Sequence, residues 1–268
     1  MTPEQHQDAA EALFQAEATG RQIGLLSLAY PGMTLDDAYG VQAALVARKR
    51  AAGRRVIGWK IGLTSRAMQD ALKIDTPDSG VLLDDMLFED GAMIPAGRFI
   101  QPRVEAEIAF VMRAPLAGVG VTRDDVLAAT ASVAPALEIL DTRILRADPA
   151  TGRARIITDT VSDNAANAGI VLGPQRHDPR AMDLRWAGAI VQRDGVVEET
   201  GLGAGVLNDP VTGIVWLVQR LAAYGQGLSA GEVVLSGSFI RPIEAPPGSR
   251  FEADFGGFGR VSVGFSKG

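Results

Sequence analysis

The sequence predicts an α+β protein, built as a mixed and curved sheet or sandwich with helices at its periphery. Two segments with helical spacing of apolar residues open the chain, and most later apolar runs are short and bounded by glycine or proline. Such runs are typical of strands joined by tight turns, and the 31 glycines lie mostly around them. An Asp-Gly pair at 194–195 separates two of these runs and indicates a β-hairpin.

The first predicted elements are two helices. Residues 4–18 carry apolar side chains at helical spacing, and Thr34 is a suitable N-cap for a second helix over residues 35–52. We therefore predict an N-terminal helical subdomain, residues 1–55, and a catalytic β-rich domain, residues 56–268.

The β-rich domain is predicted to contain many short strands and a few helices. A polar loop at 76–82 leads into a strand, and an Arg-, Asp- and Gly-rich loop covers 142–158. The predicted helices are 66–72, 122–132, which begins with a Thr122–Asp125 capping pair, and 208–224. The predicted strands are 56–62, 99–112, 134–140, 170–172, 187–191, 196–200, 233–235, 250–255 and 260–265.

Composition narrows the classes of function. The chain of 268 residues is 47% hydrophobic and 22% charged, which is typical of a globular protein of one large domain. Its net charge of −6 argues against nucleic-acid binding, and it has no apolar run of the ~20 residues that a membrane span needs. The start is polar, unlike a signal peptide, and there are no cysteines for disulfides or thiolate metal sites. We expect a cytoplasmic protein.

The most informative stretch is the predicted strand with two glutamates. Alternation places Glu105 and Glu107 on one face, roughly 6–7 Å apart, and the apolar residues on the other. Two carboxylates this close repel each other, and a hard divalent cation would relieve the repulsion. Glu138, the lone charge in an apolar run, is the candidate third ligand. The alternative is that Glu105 and Glu107 simply face water.

Two further residues are candidate acid/base groups. Lys60 is the only charge in an otherwise apolar stretch, where burial is expected to lower its pKa, although it could instead extend to solvent from a strand end. Asp78 follows Pro77 on a loop that could cover a site, where most aspartates only form turns.

Other motifs are weak. Gly201–Gly205 lacks the spacing and context of a phosphate-binding loop, and Ser236-Gly237-Ser238 has no nearby base in the sequence. His6 lies near the terminus and His177 in a polar loop, so a histidine-based triad or zinc site is not predicted.

Four stretches together resemble the hydratase/decarboxylase family of the fumarylacetoacetate hydrolase superfamily, which acts in meta-cleavage pathways of aromatic catabolism. They are residues 58–65, 102–107, 135–141 and 162–167. The resemblance covers nearly the whole chain, and the motifs are specific in combination.

The resemblance implies a fumarylacetoacetate hydrolase-like fold and a divalent ion, Mg²⁺ or Mn²⁺, held by Glu105, Glu107 and Glu138. It also implies a small 2-oxo or 2-hydroxydienoate substrate that chelates the ion through its C1 carboxylate and C2 oxygen. Lys60 and Asp78 are the expected catalytic residues, and a homo-oligomer is expected. Within the matching stretches, the residues expected to bind substrate are Leu63, Thr64, Ser65 and Ser162.

Within this family the sequence favours a hydratase that converts 2-oxohept-4-ene-1,7-dioate to 4-hydroxy-2-oxoheptane-1,7-dioate in homoprotocatechuate catabolism. An acid at Asp78 suits proton transfer or water delivery, and loop 148–155 resembles that of the dioate hydratases. Arginines of this loop are candidates to meet the second carboxylate. The alternatives are hydration of 2-hydroxypenta-2,4-dienoate, decarboxylation of 4-oxalocrotonate, and a catalytically silent partner subunit. The intact set of three glutamates and Lys60 argues against the last.

Overall fold

In the computed structural model, which describes residues 1–66, 69–70, 74 and 76–268, two β-sheets pack against each other and helices surround them. The helices are α1 (Pro3–Thr19), α2 (Leu26–Ala29), α3 (Leu35–Ala51), α4 (Arg123–Ala129), α5 (Ile157–Ser162) and α6 (Pro210–Ala222). The strands are β1 (Val56–Gly62), β2 (Asp78–Leu83), β3 (Leu87–Phe88), β4 (Met93–Ile94), β5 (Arg103–Met112), β6 (Thr130–Leu140), β7 (Asn167–Leu172), β8 (Gly188–Arg193), β9 (Val196–Leu202), β10 (Val233–Leu235), β11 (Ile243–Glu244), β12 (Arg250–Asp254) and β13 (Arg260–Phe265).

The larger sheet has the strand order β2-β1-β10-β5-β6-β7-β3, with β11 also paired to β5, and the smaller has the order β4-β13-β12-β8-β9. The main hydrophobic core lies between them. Ala106 and Ile108 on one face of β5 belong to the same buried cluster as Phe251 of β12 and Val263 of β13. This packing fixes which face of β5 is apolar, and the opposite face is left for the glutamates.

The two N-terminal helices form because each begins with a capping box. The Thr2 hydroxyl accepts the Gln5 N–H at 3.2 Å, and the Thr34 hydroxyl accepts the Asp37 N–H at 3.1 Å. The apolar sides of α1 and α3 pack together in their own buried cluster. The two predicted helices are thus confirmed, with ends that differ by one residue.

The helical pair is joined to the sheet by a buried amide. Gln42 of α3 donates from Nε2 to the carbonyl oxygens of Ser79 at 2.8 Å and Val161 at 3.0 Å. Gln42 therefore ties α3 both to β2 and to α5. The division of the chain at residue 55 stays a prediction.

Several predicted boundaries are corrected. The helix that Thr122 caps ends at Ala129 rather than at residue 132, because β6 begins at Thr130 and pairs there with Met112 of β5. Residues 157–162 form a helix inside the region predicted as a loop. The helix predicted over 66–72 falls largely outside the described residues. The hairpin of β8 and β9, the helix α6 and the three C-terminal strands are confirmed. No helix in the described part of the chain is long and apolar enough to cross a membrane.

Candidate active site

Three glutamates from two neighbouring strands meet on the face of the larger sheet that points away from the main core. Glu105 lies directly opposite Glu138 in the antiparallel pairing of β5 with β6, and Glu107 follows two residues later on β5. One carboxylate oxygen from each of the three lies within 4.8 Å of the others. Cross-strand neighbours and i, i+2 neighbours share a face of a sheet, which explains the cluster.

The cluster has the features of a site for a hard cation. Glu107 is 1% exposed and Glu138 is fully buried, so the alternative in which Glu107 faces water is wrong. Oε1 of Glu107 and both carboxylate oxygens of Glu138 have no hydrogen-bond donor among the described residues. Buried acceptors without donors are costly, and carboxylate oxygens are the ligands that Mg²⁺ and Mn²⁺ prefer. The three residues therefore fit the predicted metal site.

The acidities of the glutamates reflect the same crowding. Burial and the charge of Glu138 raise the pKa of Glu105 to about 8. Burial and the charges of Glu138 and Glu105 raise the pKa of Glu107 well above its usual range. Without a cation, ionising all three carboxyl groups at neutral pH costs folding free energy.

The glycine of Ser236-Gly237-Ser238, a motif that the sequence did not place at the site, also contacts the cluster. The N–H of Gly237 donates to Oε2 of Glu107 at 2.7 Å, and φ of Gly237 is +117°, in the region that favours glycine. The preceding Ser236 is fully buried, and its hydroxyl has no partner among the described residues. A glycine between two serines directly after a buried strand was the available signal, but the sequence does not show that β10 lies beside β5.

Lys60 lies beside the cluster, with Nζ 3.4 Å from Oε1 of Glu138, and is 4% exposed. The alternative in which it extends to solvent is therefore wrong. Burial lowers the pKa of Lys60, but the charges of Glu138 and Asp78 outweigh burial, and the pKa lies above its usual value. This result corrects the expectation of a lowered pKa. The metal-free site holds Lys60 as an ammonium ion.

Asp78 is the first residue of β2 and is 2% exposed, which corrects its predicted place on a loop. The register pairs Gly62 with Asp78 and Lys60 with Gly80, so the two charged side chains are diagonal neighbours on one face. Burial raises the pKa of the Asp78 carboxyl, and the charge of Lys60 offsets only part of this effect. A buried carboxyl group beside an ammonium is suited to proton transfer.

The glycine at position 62 makes room for this pair. A Cβ atom on Gly62 would collide with Oδ1 of Asp78 and would lie 3.1 Å from Nζ of Lys60. A Cβ on Gly80 would lie 2.5 Å from the carbonyl oxygen of Asn164. Gly62 follows Lys60 by two residues and Gly80 follows Asp78 by two residues. At both positions a larger residue would collide with neighbouring atoms.

The predicted substrate-binding residues at 63–65 follow β1 directly. Leu63 has φ +56°, which is uncommon and strained for a residue with a side chain. Thr64 is buried, and its side chain packs against Gly237, the residue that bonds Glu107. Ser65 is half-buried. The structure thus places this turn beside the cluster through Thr64.

Ser162 lies at the end of α5, fully buried, and its hydroxyl has no hydrogen-bond partner among the described residues. The three residues that follow Asp163 all have positive φ, from +52° to +57°. Asn164 holds this strained turn against β2, because its side chain bonds both the N–H and the carbonyl of Val81. Ser162 is therefore fixed next to the strand that carries Asp78.

Comparison with known proteins shows likeness over the whole chain. It is 51% identical over 256 residues to the 2-oxo-hept-4-ene-1,7-dioate hydratase of Escherichia coli, covering 96% of each chain. It is 41% identical over 265 residues to the 2-keto-4-pentenoate hydratase of Paraburkholderia xenovorans, covering 99% of this chain and 96% of the relative. No protein-family model matches the sequence.

The structure resembles that of the 4-oxalocrotonate decarboxylase from Pseudomonas putida G7, which was solved in complex with magnesium and adipate. The TM-score is 0.92 and the identity is 33%, and the match covers 99% of this chain and 98% of the other. Each of these likenesses spans nearly the full length of both chains.

Proposed function

The chain belongs to the hydratase/decarboxylase family of the fumarylacetoacetate hydrolase superfamily, and we propose that it adds water to 2-oxohept-4-ene-1,7-dioate to give 4-hydroxy-2-oxoheptane-1,7-dioate. The observation that carries the choice of a hydratase is the buried pair of Lys60 and Asp78 beside the three glutamates. The hydratase that is 51% identical supports the dioate as substrate. We place this reaction in the catabolism of homoprotocatechuate as part of the same proposal.

We propose that Glu105, Glu107 and Glu138 hold a magnesium or manganese ion. Their buried oxygens without donors and their raised pKa values support this assignment, as does the magnesium in the decarboxylase structure. When bound, such an ion supplies Lewis-acid polarisation of the 2-oxo group.

The proposed reaction has two stages, and residues of this chain transfer protons in both. In the first stage a proton leaves C3 of the substrate and another is added at C5, which shifts the double bond from C4–C5 to C3–C4. In the second stage water adds its oxygen to C4, and C3 receives a proton. Asp78 is the proposed proton acceptor and Lys60 the proposed donor, because the two side chains are diagonal neighbours on one face beside the three glutamates.

Substrate binding is assigned to the buried polar groups around this pair. The proposed contacts come from the turn after β1 and from the hydroxyl of Ser162, which has no other partner in the described part of the chain. The residues of the turn are Leu63, Thr64 and Ser65.

The activity is tested with purified protein and added magnesium. We expect the dioate to be consumed with formation of the 4-hydroxy product and without release of carbon dioxide. Faster hydration of 2-hydroxypenta-2,4-dienoate would shift the assignment to the shorter substrate, which the 41% identical pentenoate hydratase makes the second candidate. Carbon dioxide release from 4-oxalocrotonate would show a decarboxylase instead, and no turnover would support a silent subunit.

A cytoplasmic location and a homo-oligomer stay predictions. Size-exclusion chromatography with light scattering measures the oligomeric state directly.

A further inference from the structure

We propose that Arg155 binds the distal C7 carboxylate of the dioate substrate and so selects it over shorter monocarboxylate dienoates. This inference rests on the proposed function and names the residue that sets its substrate class. Arg155 lies in the loop between β6, which carries Glu138, and α5, which ends at Ser162.

The guanidinium of Arg155 is anchored near the end of β6. Its Nη1 donates to Oγ1 of Thr142 at 2.6 Å, and Thr142 lies two residues after that strand. Its backbone N–H donates to the carbonyl of Arg146 at 3.0 Å. Its charge also lowers the pKa of Asp78, so the guanidinium lies within electrostatic range of the proposed proton acceptor.

Arg155 is half-buried, and no carboxylate of the described residues forms an ion pair with it. Its hydrogen-bond partner, the hydroxyl of Thr142, is neutral. Two neighbouring arginines differ in this respect, because Arg103 and Arg146 share Glu244 at 2.7 and 2.6 Å. Among these three arginines, Arg155 is therefore the one whose charge is available to form an ion pair with a carboxylate of the substrate.

The surroundings of Arg155 favour an anion. Burial lowers the pKa of Arg155, the charge of Asp163 raises it, and the charges of Arg103 and Arg146 lower it, although a guanidinium keeps its charge at any physiological pH. Asp163 is already ion-paired with the buried Arg143. Arg103 also lies two residues before Glu105, on the same face of β5. The positive group therefore borders the glutamate cluster, in a chain whose net charge is −6.

The dimensions suit a seven-carbon dicarboxylate. Its end carboxyl carbons are separated by six carbon–carbon bonds of about 1.5 Å each, about 7–8 Å when extended. Glu138 and Thr142 are four residues apart, so their backbones are at most about 13 Å apart, the length of a fully extended segment. A guanidinium can bind a carboxylate with two parallel hydrogen bonds. A five-carbon monocarboxylate has no second charge to offer.

The test compares Arg155→Gln with Arg153→Gln. Arg153 is the other arginine of loop 148–155, and its exposed position makes it the matched control rather than a candidate to bind the carboxylate. Glutamine can still donate to Thr142, which protects the fold. We expect Arg155→Gln to lower the ratio of kcat/KM for the dioate to kcat/KM for 2-hydroxypenta-2,4-dienoate by about 10–100-fold, mainly through KM. Arg153→Gln should change the ratio less than about 2-fold, as expected for an exposed charge. Arg155→Lys should recover only part of the ratio, because an ammonium lacks the planar fork.

A binding measurement separates this inference from the proposed reaction. With magnesium present, calorimetry should show that the unmodified protein binds 2-oxoheptane-1,7-dioate at least about 10-fold more tightly than 2-oxoheptanoate, which has a methyl group in place of the distal carboxylate. Arg155→Gln should abolish this preference. If the unmodified protein hydrates neither substrate but keeps the preference, the reaction is wrong and the role of Arg155 stands. If Arg155→Gln keeps the preference, or loses both substrates equally, the role of Arg155 is refuted.

Discussion

Replacing Glu138 by glutamine should make the metal-free protein more stable at pH 8 while abolishing its response to magnesium. The charge of Glu138 is the largest electrostatic cause of the raised pKa values of both Glu105 and Glu107. Glutamine has nearly the same shape, and its amide can donate a hydrogen bond to a remaining carboxylate. The substitution thus removes repulsion without opening a cavity. It also removes the ion pair between Glu138 and Lys60 at 3.4 Å, but Asp78, Glu105 and Glu107 remain to balance the charge of Lys60.

The magnitude follows from the pKa of Glu105. A carboxyl group whose pKa rises from 4.5 in the unfolded chain to about 8 in the fold binds more protons when folded. The stability it contributes is therefore full below pH 4.5 and is lost as the pH rises through 8. That loss is about 5 kcal/mol at most, at about 1.4 kcal/mol for each pH unit between the two pKa values.

Burial accounts for the largest part of the raised pKa, and removing the charge of Glu138 recovers the electrostatic part. We expect Glu138→Gln to gain about 1–3 kcal/mol at pH 8 and little at pH 5. For a chain of 268 residues that corresponds to a rise in Tm of about 2–5 °C. Magnesium at 100 times its Kd should stabilise the unmodified protein by about 2.7 kcal/mol and the variant by much less.

The assay is thermal unfolding between pH 5 and pH 9, with a chelator and with excess magnesium. Glu252→Gln is the matched control, because it removes the same charge from an exposed position on β12. A metal-free Glu138→Gln that is less stable than the unmodified protein at pH 8 would refute the electrostatic reasoning. A Tm that still rises normally with magnesium would refute the assignment of Glu138 as a ligand.

Three further substitutions test the acid/base pair. Lys60→Met should keep magnesium binding and lower turnover by about 10²-fold or more, measured per folded molecule; full activity per folded molecule with a damaged fold would show a structural lysine. Asp78→Asn should suppress hydration of the dioate while the substrate still binds, because an amide cannot accept the proton; unchanged product formation would exclude Asp78 as the base. Gly62→Ala should lower kcat by about 10-fold or more with a small change in Tm, because its methyl group would displace the side chain of Asp78. Gly257→Ala, where a Cβ meets nothing within 4 Å, is the control for the glycine, and an equal kcat in both variants would contradict the steric argument.

Local patterns in the sequence determined much of this protein. The capping threonines and helical spacing predicted α1 and α3, and the Asp-Gly pair predicted the hairpin of β8 and β9, because these features depend on residues close together in the chain. Alternation along β5 placed Glu105 and Glu107 on one face for the same reason. Resemblance to a family added the expected roles of these residues, which periodicity alone does not give.

Long-range pairing decided what the sequence left open. The register of β5 with β6 puts Glu138 opposite Glu105, and the register of β1 with β2 turns Asp78 from a presumed loop residue into a buried neighbour of Lys60. The expected lowering of the pKa of Lys60 is reversed only in the assembled fold. There, the charges of four carboxylates on three other strands, β2, β5 and β6, outweigh the effect of burial. Gly237 likewise bonds to Glu107, which lies far from it in the sequence, and Arg155 bonds to Thr142 across a loop. No local sequence pattern predicts these contacts. The residue types thus determine which chemical groups the site contains, whereas the distances between these groups and their protonation states depend on tertiary structure.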